Sequence, residues 1–347
     1  MKLFAQCLAV GVLAQVALGE PAESNAVARG TLATGVKELN QLVVNLDGVK
    51  NSRYLSVPTD AELGRLSGME LIAASHQAWR MTGDIAIVRR HWDTLKRALE
   101  SVKTANDKVG KQGEAPWRYM NGCHRLDAAK LMGEMARKLG ESEFADQCFA
   151  SVDAERESLQ NGFLDPDGML VPELRELPAA VVYALKCELV EDEAREQTLA
   201  ALKRTAAKLG SDMLASVPTS FMLQILAEED SSEVAYALVR QLKPSQLNPS
   251  ACGALLDWMF GTMAGIQPGP RGGFDKMVEL SPTPDRRTGF VEATYRNANG
   301  VIKSAWRYDE DGRCRWKFSI PEGTRATVCV NGMCRPYKSG DWELEIK

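Results

Sequence analysis

Residues 248–285, NPSACGALLDWMFGTMAGIQPGPRGGFDKMVELSPTPD, contain two hydrophobic periods that meet end to end. Leu255, Leu256, Met259, Phe260 and Met263 recur at helical spacing and define one apolar helix face. Gly265 ends that periodicity, and the Pro/Gly cluster at 268–273 forbids its continuation. Beyond the cluster apolar residues recur with a period of two. A helical domain therefore hands over to a β domain inside this stretch.

Toward the C-terminus, GFVEATYR, VIKSAWRYD, RCRWKFSI, TRATVCV and DWELEI alternate apolar and polar residues between Asn-Gly, Asp-Gly and Gly turns. That pattern predicts antiparallel strands forming a small sandwich. Toward the N-terminus, helical patterns succeed one another in pairs joined by short turns: 68–81 with 84–103, 127–139 with 141–159, 177–189 with 191–209, and 219–227 with 232–242. A further helical face runs over 24–46, and residues 104–121 read as a loop carrying Trp117 and Tyr119. Short connections between helices indicate stacked helical hairpins. No fixed period of self-similarity argues for a repeat array. The fold class expected is mainly α with a C-terminal all-β domain: a trimmed (α/α) toroid over 20–267, followed by an antiparallel β-sandwich over 268–347.

The opening run MKLFAQCLAVGVLAQVALGE has Lys2, an apolar stretch to Leu18 and Ala17-Leu18-Gly19 as a small-residue cleavage site. It reads as a signal peptide spanning 1–19, so the protein is expected to be secreted or periplasmic. An uncleaved anchor or a buried first helix is the competing reading. Composition is ordinary for a globular chain, 45% hydrophobic and 25% charged with a formal net charge of −4, which gives no basic surface for nucleic acid. After removal of the leader no membrane contact is expected.

Of the eight cysteines, Cys7 falls in the leader. In 326–334, ATVCVNGMC, the Asn-Gly dipeptide signals a two-residue hairpin that sets Val330 opposite Met333 and Cys329 opposite Cys334. That pair can be a cross-strand disulfide or two free thiols. Cys123, Cys148, Cys187 and Cys252 fall in helical stretches without metal-ligand spacing and read as core filler.

Several stretches together resemble the α-L-rhamnosidases of glycoside hydrolase family 78. The junction GALLDWMFGTMAGIQP with GFDKMVELSPTP is similar to the point where their helical barrel meets a C-terminal β-sandwich. MTGDIAIVRRHWDTLKRALESV and LDAAKLMGEMARKLGESEFADQC resemble family hairpins, and 291–330 closely resembles the family's sandwich. The resemblance implies a six-hairpin glycosidase toroid, an inverting hydrolysis and a rhamnose-containing carbohydrate as partner. No cofactor is implied, and His76, His91 and His124 share no metal-ligand spacing.

Inversion needs a carboxylic acid to protonate the leaving oxygen and a carboxylate to activate water. In the family the acid lies in an Arg- and Trp-containing run after Pro-Thr-Asp. Here Pro58-Thr59-Asp60 is followed by a shortened run without Trp, in which Gly64 stands near the place of the Glu before Arg65. Asp60 and Glu62 are the remaining candidate catalytic residues. The family base is a Glu between the last two toroid helices, followed by Asn-His. Residues 234–256 contain no carboxylate, and Asn248 is followed by Pro249 rather than His. Arg65, Trp117, Tyr119 and Asn248 are candidate substrate contacts. Two functions follow: a degenerate glycan-binding relative of the rhamnosidases, or an active hydrolase using displaced carboxylates.

Overall fold

The computed structural model describes residues 30–36, 39–40, 52–104, 115–229, 231–241 and 247–347. The expected signal peptide at 1–19 lies outside them, as do most of 37–51 and the residues 105–114 and 242–246. Two compact units result. One comprises Pro58–Gln77 with Ile85–Ile225, and the other Ala78–Asp84 with Leu226–Lys347 and the described residues before Pro58.

The first unit is helical. After the single turn α1 (Asp60–Leu63) come α2 (Gly68–Thr82, whose last turn belongs to the second unit), α3 (Ala86–Thr104), α4 (Ala115–Leu139) and α5 (Ser142–Phe163). The short α6 (Pro172–Arg175), α7 (Pro178–Lys186), α8 (Asp192–Leu209), α9 (Met213–Ser216) and α10 (Thr219–Glu228, whose end from Leu226 belongs to the second unit) follow. Helix α3 shows the logic of an outward-facing member: Val88, Trp92, Leu95 and Leu99 are buried along one stripe. Helix α4 is buried on most of its circumference, including Tyr119, Cys123, Leu126, Met132 and Met135. Its start corrects the loop expected at 104–121, because described helix begins at Ala115. Pro116 and Asn121-Gly122 carry turn signals, yet proline in a first turn forfeits only an N–H that has no helical acceptor. Gly122 is there for close packing: a Cβ would lie 2.5 Å from Leu159 Cδ2 on α5.

The second unit carries α11 (Ser232–Arg240), α12 (Pro249–Trp258), a π-turn at Met259–Met263 and two sheets. Strands β1 (Gly30–Thr34), β4 (Phe290–Asn297), β5 (Gly300–Tyr308), β6 (Cys314–Ile320) and β9 (Gly340–Ile346) form an antiparallel sheet in the order β1-β4-β5-β6-β9. Strands β2 (Ile266–Pro268), β3 (Met277–Leu280), β7 (Arg325–Val330) and β8 (Met333–Tyr337) form the other, in the order β2-β3-β7-β8. All pairs are antiparallel except β3 with β7, which run parallel. The helical reading of 24–46 fails over Gly30–Thr34, which pairs with β4 from Gly30 opposite Tyr295 to Thr34 opposite Val291. So short an edge strand has only Leu32 and Thr34 turned inward, too few to display a period.

The end of the last helix is sewn to the five-stranded sheet. Trp306 Nε1 donates to Met263 O at 2.7 Å, and Ser304 Oγ donates to Ala264 O at 2.6 Å. Ser304 Oγ in turn accepts from Trp316 Nε1 at 2.9 Å. All three side chains are buried, so each bond replaces water that has been excluded. Gly265 follows at φ 69°, where a Cβ would meet Pro282 N at 2.1 Å. At the β7–β8 turn Asn331 and Gly332 both take positive φ, 52° and 73°, as a two-residue hairpin loop requires. Cys329 and Cys334 are opposite one another and joined by a disulfide.

Ser304→Ala removes a buried hydroxyl that is both donor and acceptor, leaving Ala264 O and Trp316 Nε1 without it. A loss of about 2–4 kcal/mol is expected in urea unfolding, with the denaturant dependence unchanged. Replacing Cys329 and Cys334 together by serine opens only a short loop. Its expected cost is roughly 2 kcal/mol in the same measurement under non-reducing conditions.

Candidate functional site

Helix α1 holds both candidate acids. Thr59 caps it, and Glu62 completes a capping box: Thr59 N–H donates to Glu62 Oε2 at 2.7 Å, and Glu62 N–H to Thr59 Oγ1 at 3.3 Å. Thr59 Oγ1 also donates to Glu62 Oε2, at 2.9 Å. The Glu62 carboxylate is thus occupied with terminating its own helix. Asp60, in the first turn, is clamped by α3. Arg90 Nη2 lies 2.8 Å from Oδ2, Arg90 Nε donates to Oδ1 at 3.1 Å, and His91 Nε2 donates to Oδ1 at 3.0 Å. The hydrogen bonds from Arg90 and His91 hold this carboxyl below its ordinary range. A general acid must carry a proton at working pH, and these partners favour the ionised form.

The other sequence candidates are dispersed. Arg65 is exposed just beyond Gly64, the residue that ends α1. Tyr119 is a core residue: fully buried, it donates its hydroxyl to Ala180 O at 3.0 Å and meets Phe163 edge-on at 5.4 Å. Its assignment as a sugar contact is therefore corrected. Trp117, half-buried, stands one turn-fraction earlier on the same helix. Asn248 belongs to the second unit, where its Oδ1 accepts from Ala251 N at 2.8 Å as the cap of α12. The side-chain oxygen expected to face substrate is used by the helix terminus.

Two polar clusters escaped the sequence reading. On α4 and α7, His124 Nε2 meets Tyr183 Oη at 3.0 Å, and Lys186 Nζ donates to Asp127 Oδ1 at 3.2 Å. The Lys186 ammonium also lies 4.9 Å from the centre of the Phe221 ring. Burial lowers the His124 imidazole, against an opposing pull from Asp127, so the ring favours its neutral form. The available signal was a pair of polar residues at i, i+3 spacing on each helix, His124 with Asp127 and Tyr183 with Lys186. The second cluster centres on Asp257 of α12, whose Oδ1 accepts from Ser52 Oγ at 2.9 Å and Arg53 N at 2.8 Å. Burial pushes this carboxyl up to about 6, with Arg53 opposing the rise. Among the described residues no three His, Cys, Asp or Glu side chains are grouped to hold a metal ion.

A family profile described as the bacterial alpha-L-rhamnosidase 6 hairpin glycosidase domain matches residues 68–258, over half of the chain. The chain belongs to the bacterial α-L-rhamnosidase family. The family's C-terminal domain matches 265–343, so the two matches meet at the π-turn and Gly265. An α-L-rhamnosidase of Streptomyces avermitilis is 22% identical over 281 residues, which covers 70% of this chain and 26% of the relative. A crystal structure of the S. avermitilis enzyme complexed with L-rhamnose superposes with a TM-score of 0.71 at 17% identity, covering 93% of this chain and 43% of that one. The GH78 rhamnosidase of Bacillus sp. GL1 gives a TM-score of 0.65 at 14% identity, covering 88% and 43%. This rhamnosidase-family chain thus spans less than half the length of these relatives.

Asp257 gives the helical end of the second unit a pH signature. Its folded value near 6 exceeds the ordinary 3.8, so the native state retains this proton to higher pH than the unfolded chain. The group's stabilisation is complete below pH 3.8 and is lost as pH rises through 6, a difference of about 3 kcal/mol. Asp257→Asn keeps an oxygen to accept from Ser52 and Arg53. Urea unfolding of the variant at pH 4, 5, 6 and 7 is expected to lack the decline seen in the parent.

Proposed function

We propose that this rhamnosidase-family chain binds a rhamnose-containing glycan without hydrolysing it, and that the apolar leader at 1–19 directs it out of the cytoplasm. The observation that carries this reading is the fate of the carboxylates in the run after Pro58. Asp60 is held toward its ionised form by Arg90 and His91, and Glu62 is engaged in the Thr59 capping box. Neither stands ready to hand a proton to a leaving oxygen. The absence of any carboxylate over 234–256 removes the second partner from its family position. Each acid–base role contributes about 10²–10⁴-fold to rate, so loss of both leaves little catalysis.

Binding makes lesser demands. It requires aromatic surface and oriented polar groups but neither a shifted pKa nor an activated water. The family membership and the rhamnose-bound structure of the S. avermitilis relative support rhamnose as the sugar to be tried first. The test uses the purified chain with 4-nitrophenyl α-L-rhamnoside. No release above a heat-treated control is expected, while calorimetry with L-rhamnose registers binding. Release of nitrophenol that vanishes in Asp60→Asn or Glu62→Gln would overturn the proposal and identify the displaced catalytic group.

A further inference from the structure

Strands β8 and β9 are the outermost strands of their respective sheets. Cross-strand partners share a face. On β7 the buried Ala326 and Val328 are opposite Tyr337 and Arg335, and Val330 is opposite Met333. On β6 the buried Trp316 and Phe318 are opposite Leu344 and Trp342. Met333, Arg335 and Tyr337 of β8, with Trp342 and Leu344 of β9, therefore continue the inward faces of the two sheets. Inward faces are normally covered, but here Met333 is 55% and Trp342 40% exposed, and Arg335 is exposed as well.

The exposed indole is held in place. Trp342 Nε1 donates to Lys338 O at 3.2 Å, and Tyr337 meets the ring edge-on at 4.9 Å. Tyr337 is itself braced at 5.5 Å by the buried Phe318. The same strand face carries a cation: Arg335 is two residues from Tyr337, a Cα separation of roughly 7 Å. Among the described residues its guanidinium approaches the Met333 sulfur at 4.0 Å and forms no ion pair. The nearest acidic residues in sequence on β9 turn the other way, and Glu343 is engaged by Arg315 and Lys317. The braced indole has its ordering cost met before any ligand arrives.

We propose that this face is a second carbohydrate site, specific for an acidic pyranose: a uronate whose carboxylate takes the Arg335 fork while its C–H face stacks on Trp342. An arginine fork matches a carboxylate with two parallel hydrogen bonds, and an indole offers flat apolar area with a polar edge. This site is independent of whether the helical unit binds or cleaves rhamnosides.

The test is a titration of the full chain with methyl β-D-glucuronide and, in parallel, methyl β-D-glucoside, observing indole N–H resonances by NMR. The Trp342 signal is assigned by its loss in Trp342→Ala. The glucuronide is expected to shift that signal and to bind at least tenfold more tightly than the glucoside. Arg335→Ala should weaken the glucuronide at least tenfold and leave the glucoside unchanged. L-Rhamnose binding should be the same in both variants, which separates failure of this site from failure of the helical one. Both substitutions fall on exposed side chains, and unchanged circular dichroism and melting confirm that the variants fold. Equal affinity for the two glycosides, undiminished glucuronide binding in Arg335→Ala, or equal competition by an acidic peptide such as triglutamate would overturn the proposal.

Discussion

The hydrogen bonds from Trp306 and Ser304 to the carbonyls of Met263 and Ala264 are the constraint on which the second unit depends. A helix that ends inside protein leaves acceptors that water cannot reach. Here the π-turn closes by Ala264 N–H donating to Met259 O at 2.9 Å, and the next carbonyls are met by side chains from β5. Ser304 transmits the link to Trp316 on β6, so one hydroxyl ties the helix terminus to two strands. The helix and sheet parts of this unit thereby share polar contacts as well as apolar area. Tyr236 on α11 adds a parallel tie through its hydroxyl to Thr283 O, and Arg240 pairs with Asp285 at 2.9 Å.

Within the helical unit, the links between α4 and α7 serve a comparable purpose. Tyr119 with Ala180, His124 with Tyr183 and Lys186 with Asp127 advance along both helices in the same direction. They specify a parallel alignment that apolar packing alone leaves free to slide. Lys186 and Asp127 are an ion pair in a poorly hydrated setting, where removing one partner costs more than the pair contributes. Their role is alignment first.

The same competition for side-chain oxygens determines the chemistry of α1. A carboxylate that answers an arginine is stabilised in its charged form and is poor as a proton donor. Asp60 is held this way by Arg90 and His91, while the Glu62 oxygens are taken up by the Thr59 capping box. The helices and the sheets do not depend on a protonated acid at these positions. Asp257 shows the converse: burial raises its pKa, but its oxygen is committed to Ser52 and Arg53.

How much of this was legible in the chain depends on the range of the interactions involved. The succession of helices, the change of period after Gly265, the alternation along β4 to β7 and the register at Asn331-Gly332 are local, and the sequence by itself determined them. Each follows from side-chain periodicity or from a backbone conformation that particular residues permit. The absence of any Asp or Glu over 234–256 is likewise read from the chain alone, since an absence of residue type needs no coordinates. Tertiary structure alone decided that Gly30–Thr34 is a strand, because its hydrogen bonds come from β4 some 260 residues away. It also decided that α4 extends back to Ala115, where Gly122 packs against Leu159, and that β3 lies parallel to β7. The candidate site divided in the same way: the sequence located Asp60, Glu62 and Asn248, while their hydrogen-bond partners set their use. Those partners include α3 residues thirty positions away, and no local pattern encodes contacts at that distance.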